Sequence, residues 1–87
     1  MAIVTLRYWA AAKEAAGTAE ETISAATLAE ALAAARGGHA GQNSRLRAVL
    51  ARSSFLIDGT PVGRRAPEAV VLSDAAVIEV LPPFAGG

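Results

Sequence analysis

The sequence has no cysteine, one lysine and one histidine, and its eight acidic and eight basic side chains cancel. Each shortage removes a class of function. Without cysteine there is no disulfide framework, no thiolate nucleophile and no thiolate metal ligand. His39 sits in a glycine-rich loop with no second histidine and no close acidic cluster, so it reads as a solvated loop residue and no metal site is expected. The balanced charge leaves no electrostatic footprint for nucleic acid. The opening residues lack a basic region and are broken by Arg7, which argues against a signal peptide or a membrane span and makes the cytoplasm the default location. No phosphate loop, nucleophile elbow or dinucleotide fingerprint is present. A chain of 87 residues buries only about 60% of its unfolded surface. One small core fits that size better than a deep substrate cleft, which favours a carrier or subunit over a self-sufficient enzyme.

The residues that are present alternate between two periods. From Ile3 to Trp9 the pattern repeats every two residues, with Val4, Leu6 and Tyr8 on one face and Thr5, Arg7 and Trp9 on the other, which predicts a strand with one buried face. "AAAKEAAG" predicts a short helix closed by Gly17, and "EETIS" a weaker strand with Ile23 inward. Thr27 followed by Glu30 is a capping box, opening a helix whose apolar stripe is Leu28, Ala31, Leu32 and Ala35 and which Gly37 and Gly38 should stop. After the loop "HAGQNS", a second helical stretch from Arg45 to Arg52 places Leu46, Val49 and Leu50 on one side. "SFLIDGT" reads as a strand ending in an Asp58-Gly59 turn, and Pro61 and Pro67 confine the next segment to loop or edge. "VVL" predicts a short strand and "AVIEVL" the last one, with Ile78 and Val80 inward and Glu79 and Leu81 outward.

This order predicts an α+β domain, a mixed sheet with helices packed on one face. The last strand is the most apolar and is expected at the centre of the sheet. The domain is taken as residues 1–81 and the tail as 82–87.

Chemistry inside the domain is scarce. Asp58 before glycine reads as a turn former. Arg64 and Arg65 read as a solvated surface pair, and Arg36, Arg45, Arg47 and Arg52 as ordinary helix-surface charges. The reactive feature is the final "LPPFAGG". At about 7% glycine per position, two terminal glycines arise in roughly one chain in two hundred. Gly86 and Gly87 can thread a channel too narrow for a side chain. Pro82 and Pro83 cannot continue a sheet ladder and favour a stiff, extended exit. From Pro82 to Gly87 a fully extended tail would reach roughly 20 Å. A terminal carboxylate is a poor electrophile until ATP converts it to an acyl-adenylate that a sulfur or amine nucleophile can attack.

"VTLRYWAAAKEAAG", the capped central helix, "FLIDGT" and above all "VIEVLPPFAGG" resemble the small sulfur-carrier subunit of molybdopterin synthase over the whole chain. The resemblance implies a ubiquitin-like β-grasp fold. It also implies that a ubiquitin-activating-like adenylyltransferase, using ATP and magnesium, adenylates the last glycine, and that a sulfur donor protein then supplies the sulfur of a thiocarboxylate. The large synthase subunit receives the tail, and two such sulfurs build the dithiolene of molybdopterin from a cyclic pyranopterin. By position, Gly87 bears the thiocarboxylate and Gly86 gives it access. Trp9, Leu81, Pro82, Pro83, Phe84 and Ala85 form the partner-binding set. The chain itself is expected to bind no cofactor and to be no enzyme alone. Two departures stand out: the usual acidic, glycine-containing turn before the last strand reads "LSDAA", and the sheet-face phenylalanines correspond to Trp9 and Leu81. Trp9 would anchor a hydrophobic docking patch beside the tail, or else merely cover the short helix after the first strand. Sulfur carriers for cysteine or thiamine synthesis, a ubiquitin-like protein modifier, and a binding module with an incidental tail remain alternatives.

Overall fold

Five strands and three short helices form the domain in a computed structural model that describes residues 2–38 and 41–83. β1 (Ala2–Tyr8) leads directly into α1 (Ala10–Ala16), followed by β2 (Glu20–Ala25), α2 (Leu28–Ala34), α3 (Ser44–Leu50), β3 (Ser54–Ile57), β4 (Thr60–Pro61) and β5 (Val77–Leu81). A short 3-10 turn, Pro67–Ala69, lies between β4 and β5. The sheet order is β2-β1-β5-β3-β4. β5 pairs parallel with β1 and antiparallel with β3, so the most apolar strand does occupy the centre.

The two-residue period holds in β1 and β5. Val4, Leu6, Tyr8, Ile78 and Val80 are almost wholly buried, joined by Leu28 from α2 and Leu46 from α3. Each such side chain contributes about 1.5–3 kcal/mol through burial, most of which the entropy of ordering the chain offsets. Truncating one, for example Leu6→Ala, costs about 2–5 kcal/mol. On the other sheet face lie Thr5, Arg7, Val77, Glu79, Leu56 and Leu81, with an exposed Arg7–Glu20 ion pair at 3.5 Å that adds little stability.

The local signals set the element ends. Gly17 closes α1 in the left-handed region, φ 74°. Glu30 N–H donates to Thr27 Oγ1 at 3.2 Å, while the Glu30 carboxylate accepts from Ala26 N–H, one residue earlier than a standard capping box. Asp58 and Gly59, at φ 49° and 84°, form the left-handed pair of a tight hairpin turn. Asp58 also accepts from Val77 N–H at 3.0 Å, fastening that turn to the start of β5. In the "LSDAA" turn, Asp74 accepts from Ile3 N–H at 2.8 Å, and Ala75 takes φ 67°, a conformation that glycine would adopt without steric cost.

Four expectations need correction. β1 ends at Tyr8, and Trp9 becomes the residue that caps α1. "VVL" forms no strand, only an isolated bridge from Val71 to Thr27, because residues 70–72 clamp the start of α2 through Val70 C=O and Leu72 N–H instead of joining the sheet. α2 stops at Ala34, ahead of the two glycines. Arg47 is no ordinary surface charge: its guanidinium donates to the Leu32 carbonyl at 2.7 Å, to Ala35 at 3.2 Å and to Ala33, gathering the carbonyls at the end of α2, of which Leu32's also accepts from Ala35 N–H. Gly37 meets a different requirement. At φ 64° it packs so closely on α1 that an added Cβ would lie 2.6 Å from Ala16 Cα.

Candidate functional site: a groove at the root of the tail

Parallel pairing of β1 and β5 makes both strands leave the sheet at the same end, and the Tyr8–Val80 register sets Trp9 beside Leu81. Trp9 is extended, and Ala10 then takes φ 49°, so the chain turns from strand to helix within one residue. A left-handed alanine costs about 1–2 kcal/mol. The turn is secured by Trp9 C=O, which accepts from Ala12 N–H at 3.0 Å. The result is a tryptophan at the surface, 45% exposed, outside the buried core.

Trp9, Leu81, Pro82 and Pro83 line one groove of about 730 Å³. Ala10 and Ala11 of α1, with their small methyl side chains, and Ser54 at the start of β3 also line it. Glu14 from α1 and Arg52 from just beyond α3 complete the lining. Arg52 thus lies just beyond α3, outside the helix expected to run to it, and is an exposed charge that also lines the groove. The part of the predicted partner-binding set that is described comes together here. Phe84, Ala85, Gly86 and Gly87 lie outside the described residues, as does His39.

The domain's one buried tyrosine sits immediately behind this groove in sequence but faces the other way. Tyr8 O–H donates to Glu21, whose carboxylate also accepts the Arg36 and Gly37 N–H groups at 2.9 and 2.7 Å. Burial, and then the Glu21 hydrogen bond and charge, hold the phenol well above its ordinary range. This network fixes the segment after α2. Asn43, in the segment expected to be loop, caps α3 by accepting from Leu46 N–H and donates to Ala15 C=O, tying α1 to α3.

Among the described residues no group of three or more metal-ligating side chains occurs, and no helix is long and apolar enough to cross a membrane. The groove's lining suits apolar contact and carries one positive and one negative side chain, Arg52 and Glu14.

No curated protein sequence matches the chain. The fold is similar to that of small archaeal modifier protein 1 from Methanosarcina acetivorans, at 25% identity and a TM-score of 0.81, covering 100% of this chain and 98% of that one. The protein of the same name from Haloferax volcanii gives 19% identity and a TM-score of 0.77, covering 98% of this chain and 99% of that one. A protein–protein complex of subunits 1 and 2 of molybdopterin-converting factor from Helicobacter pylori contains a chain 22% identical, with a TM-score of 0.69, over 98% of this chain and 99% of that one. The last two likenesses establish the shared ubiquitin-like β-grasp architecture. Residues 6–87 match the ThiS family, so the chain belongs to that family of ubiquitin-like sulfur carriers.

Proposed function

We propose that this chain is the sulfur-carrier small subunit of a molybdopterin synthase, with Gly87 as the carrier atom's attachment point. The observation that supports it most is the placement of the tail's root: the central strand β5 runs into Pro82 and Pro83 at the sheet end where Trp9 and Leu81 flank an apolar groove. A rigid base and a docking patch beside it are what a tail needs if another protein's active site is to take it up.

The chemistry lies in the partners. An adenylyltransferase holding ATP and magnesium joins the Gly87 carboxylate oxygen to the α-phosphorus, and pyrophosphate leaves. The terminal sulfur of a donor protein's persulfide then attacks the acyl carbon and the C–O bond to AMP breaks; a thiol reductant cleaves the resulting acyl disulfide, leaving the thiocarboxylate on Gly87 and a disulfide between the donor and that thiol. The large synthase subunit receives the tail and transfers that sulfur to a cyclic pyranopterin. Gly86 leaves the approach free of side chains, and Phe84 and Ala85 carry the path from the prolines. The chain contributes recognition and reach, and it catalyses nothing alone.

A second reading is favoured by the likeness to the Methanosarcina acetivorans modifier protein. There the activated Gly87 would be passed to an amine, forming an isopeptide bond. The two readings share activation and differ in the nucleophile. Intact mass of protein from its native host distinguishes them: exchange of one oxygen for sulfur adds about 16 mass units, and alkylation separates the thioacid from an oxidised product. A chain extended by one residue after Gly87 misplaces the acyl carbon by roughly 3.5 Å and should lose thiocarboxylate formation while remaining folded. Normal sulfur transfer by an untrimmed extended chain would overturn the carrier reading.

A further inference from the structure

We propose that Arg52 and Glu14 select the protein that docks at the groove: the surface that covers it presents a carboxylate to Arg52 and a cation to Glu14. This rests on the carrier reading above and adds to it the chemistry of the partner. The groove's lining is mostly apolar, so a partner surface that expels water from it must itself be largely apolar. Yet two opposite charges stand in its lining. Both are exposed, and neither forms an ion pair with another described residue.

A purely apolar cover would strip water from both charges and give nothing back, a penalty that rejects neutral partners. A partner with opposite charges in the matching places escapes the penalty. Because the two signs differ and come from different elements, α1 and the segment after α3, a partner rotated by half a turn sets like charges against each other. The pair therefore fixes orientation as well as identity. Orientation matters here because Pro82 and Pro83 belong both to the groove and to the start of the tail. A surface seated wrongly on the groove would hold its own active site away from the tail's direction.

The occupant is accordingly the surface of the large synthase subunit beside the site that takes the tail. The test is calorimetric titration of the full-length chain with the large subunit of molybdopterin synthase, at low and at physiological salt. Wild type is compared with Arg52→Glu, Glu14→Arg and Arg52→Gln, each with a thermal melt. Each reversal should raise Kd about tenfold or more at low salt, chiefly through slower association, and the difference should narrow as salt rises. Arg52→Gln should lose less than Arg52→Glu, since it removes an attraction without adding a repulsion. If both reversals leave Kd within about twofold of wild type while Trp9→Ala still weakens binding, the groove docks its partner without reading charge and the proposal is overturned. If Trp9→Ala and the reversals all leave Kd unchanged, docking at this groove fails and the proposal falls with it. Arg52 also follows the C-terminal end of α3, where a cation favours the helix. A loss confined to the melt, with Kd unchanged, would assign Arg52 to that structural role and overturn its part in selection.

Discussion

Replacing Trp9 by alanine tests the docking role of the groove most directly. A tryptophan presents up to roughly 250 Å², and Trp9 is 45% exposed, so roughly 110 Å² is open for a partner to cover. At about 25 cal/mol per Å² that area is worth nearly 3 kcal/mol. Alanine keeps a little of it, which leaves an expected loss of about 2 kcal/mol, or roughly 30-fold in Kd. The fold should suffer less. Trp9 lies outside the core, its groove neighbours Ala10 and Ala11 are themselves exposed, and the bond from Ala12 N–H uses its backbone carbonyl, which alanine retains. A stability loss of about 1 kcal/mol lowers Tm by roughly 4–8 °C in a domain of this size and leaves the chain folded at 25 °C. Calorimetric titration with the large synthase subunit at that temperature, paired with a thermal melt, measures both terms. An unchanged Kd would refute the reasoning, and a loss of 3 kcal/mol or more in the melt alongside it would assign Trp9 to packing over α1.

Three further outcomes follow from particular residues. Gly86→Ala should slow adenylation and sulfur transfer sharply while leaving the melt unchanged, because it adds a methyl group to the threading segment and nothing to the domain; equal rates in a single-turnover assay would end the threading argument. Gly37→Ala should destabilise the domain by about 3 kcal/mol, combining a left-handed alanine with an approach to the Ala16 backbone that no rotamer can relieve. Urea denaturation measures that loss, and a midpoint equal to wild type would show that the two segments do not pack as described. Tyr8 has a pKa raised on folding, so its contribution is fully present below the unfolded value of about 10 and falls as pH rises above it, by at most about 1.4 kcal/mol per pH unit. As the only tyrosine in the chain, it reports its own ionisation by absorbance near the tyrosinate band, which should appear together with unfolding. Tyr8→Phe should flatten the alkaline part of the Tm profile, and an unchanged slope would exclude Tyr8 as its source.

The elements that could be read from sequence are those whose cause is local or periodic. Asp58-Gly59 carries its backbone conformation in two adjacent residues, Thr27 and Glu30 make their bonds within one turn, and β5 is apolar enough to show its central place. Strand parity puts Trp9 and Leu81 on one face, but their place beside one another and the groove they line follow only once β1 and β5 pair in parallel. Arg47 was not legible, because the carbonyls it satisfies lie 12 to 15 residues away and no spacing rule links a guanidinium to the end of a different helix. Asn43 escaped for the same reason: its cap of α3 is local, but its bond to Ala15 crosses 28 residues. Val70 to Leu72 have the composition of a strand and are bound instead at the mouth of α2, where tertiary contact overrides propensity. Arg52 entered the site because α3 ends two residues before it and the chain turns there towards β3.

The position of β5 also decides how the domain responds to being pulled. A partner that draws on the chain beyond Leu81 applies its load along the axis of a strand hydrogen-bonded on both sides, to β1 and to β3. Ladder bonds lie across that axis, so they share the load in shear and must give way together. An edge strand such as β2 or β4 has a partner on one side only, and a load that peels it away breaks its bonds one after another. Under the proposed function, a partner drawing on the residues after β5 would load a strand held on both sides, and the body of the sheet would resist being dismantled.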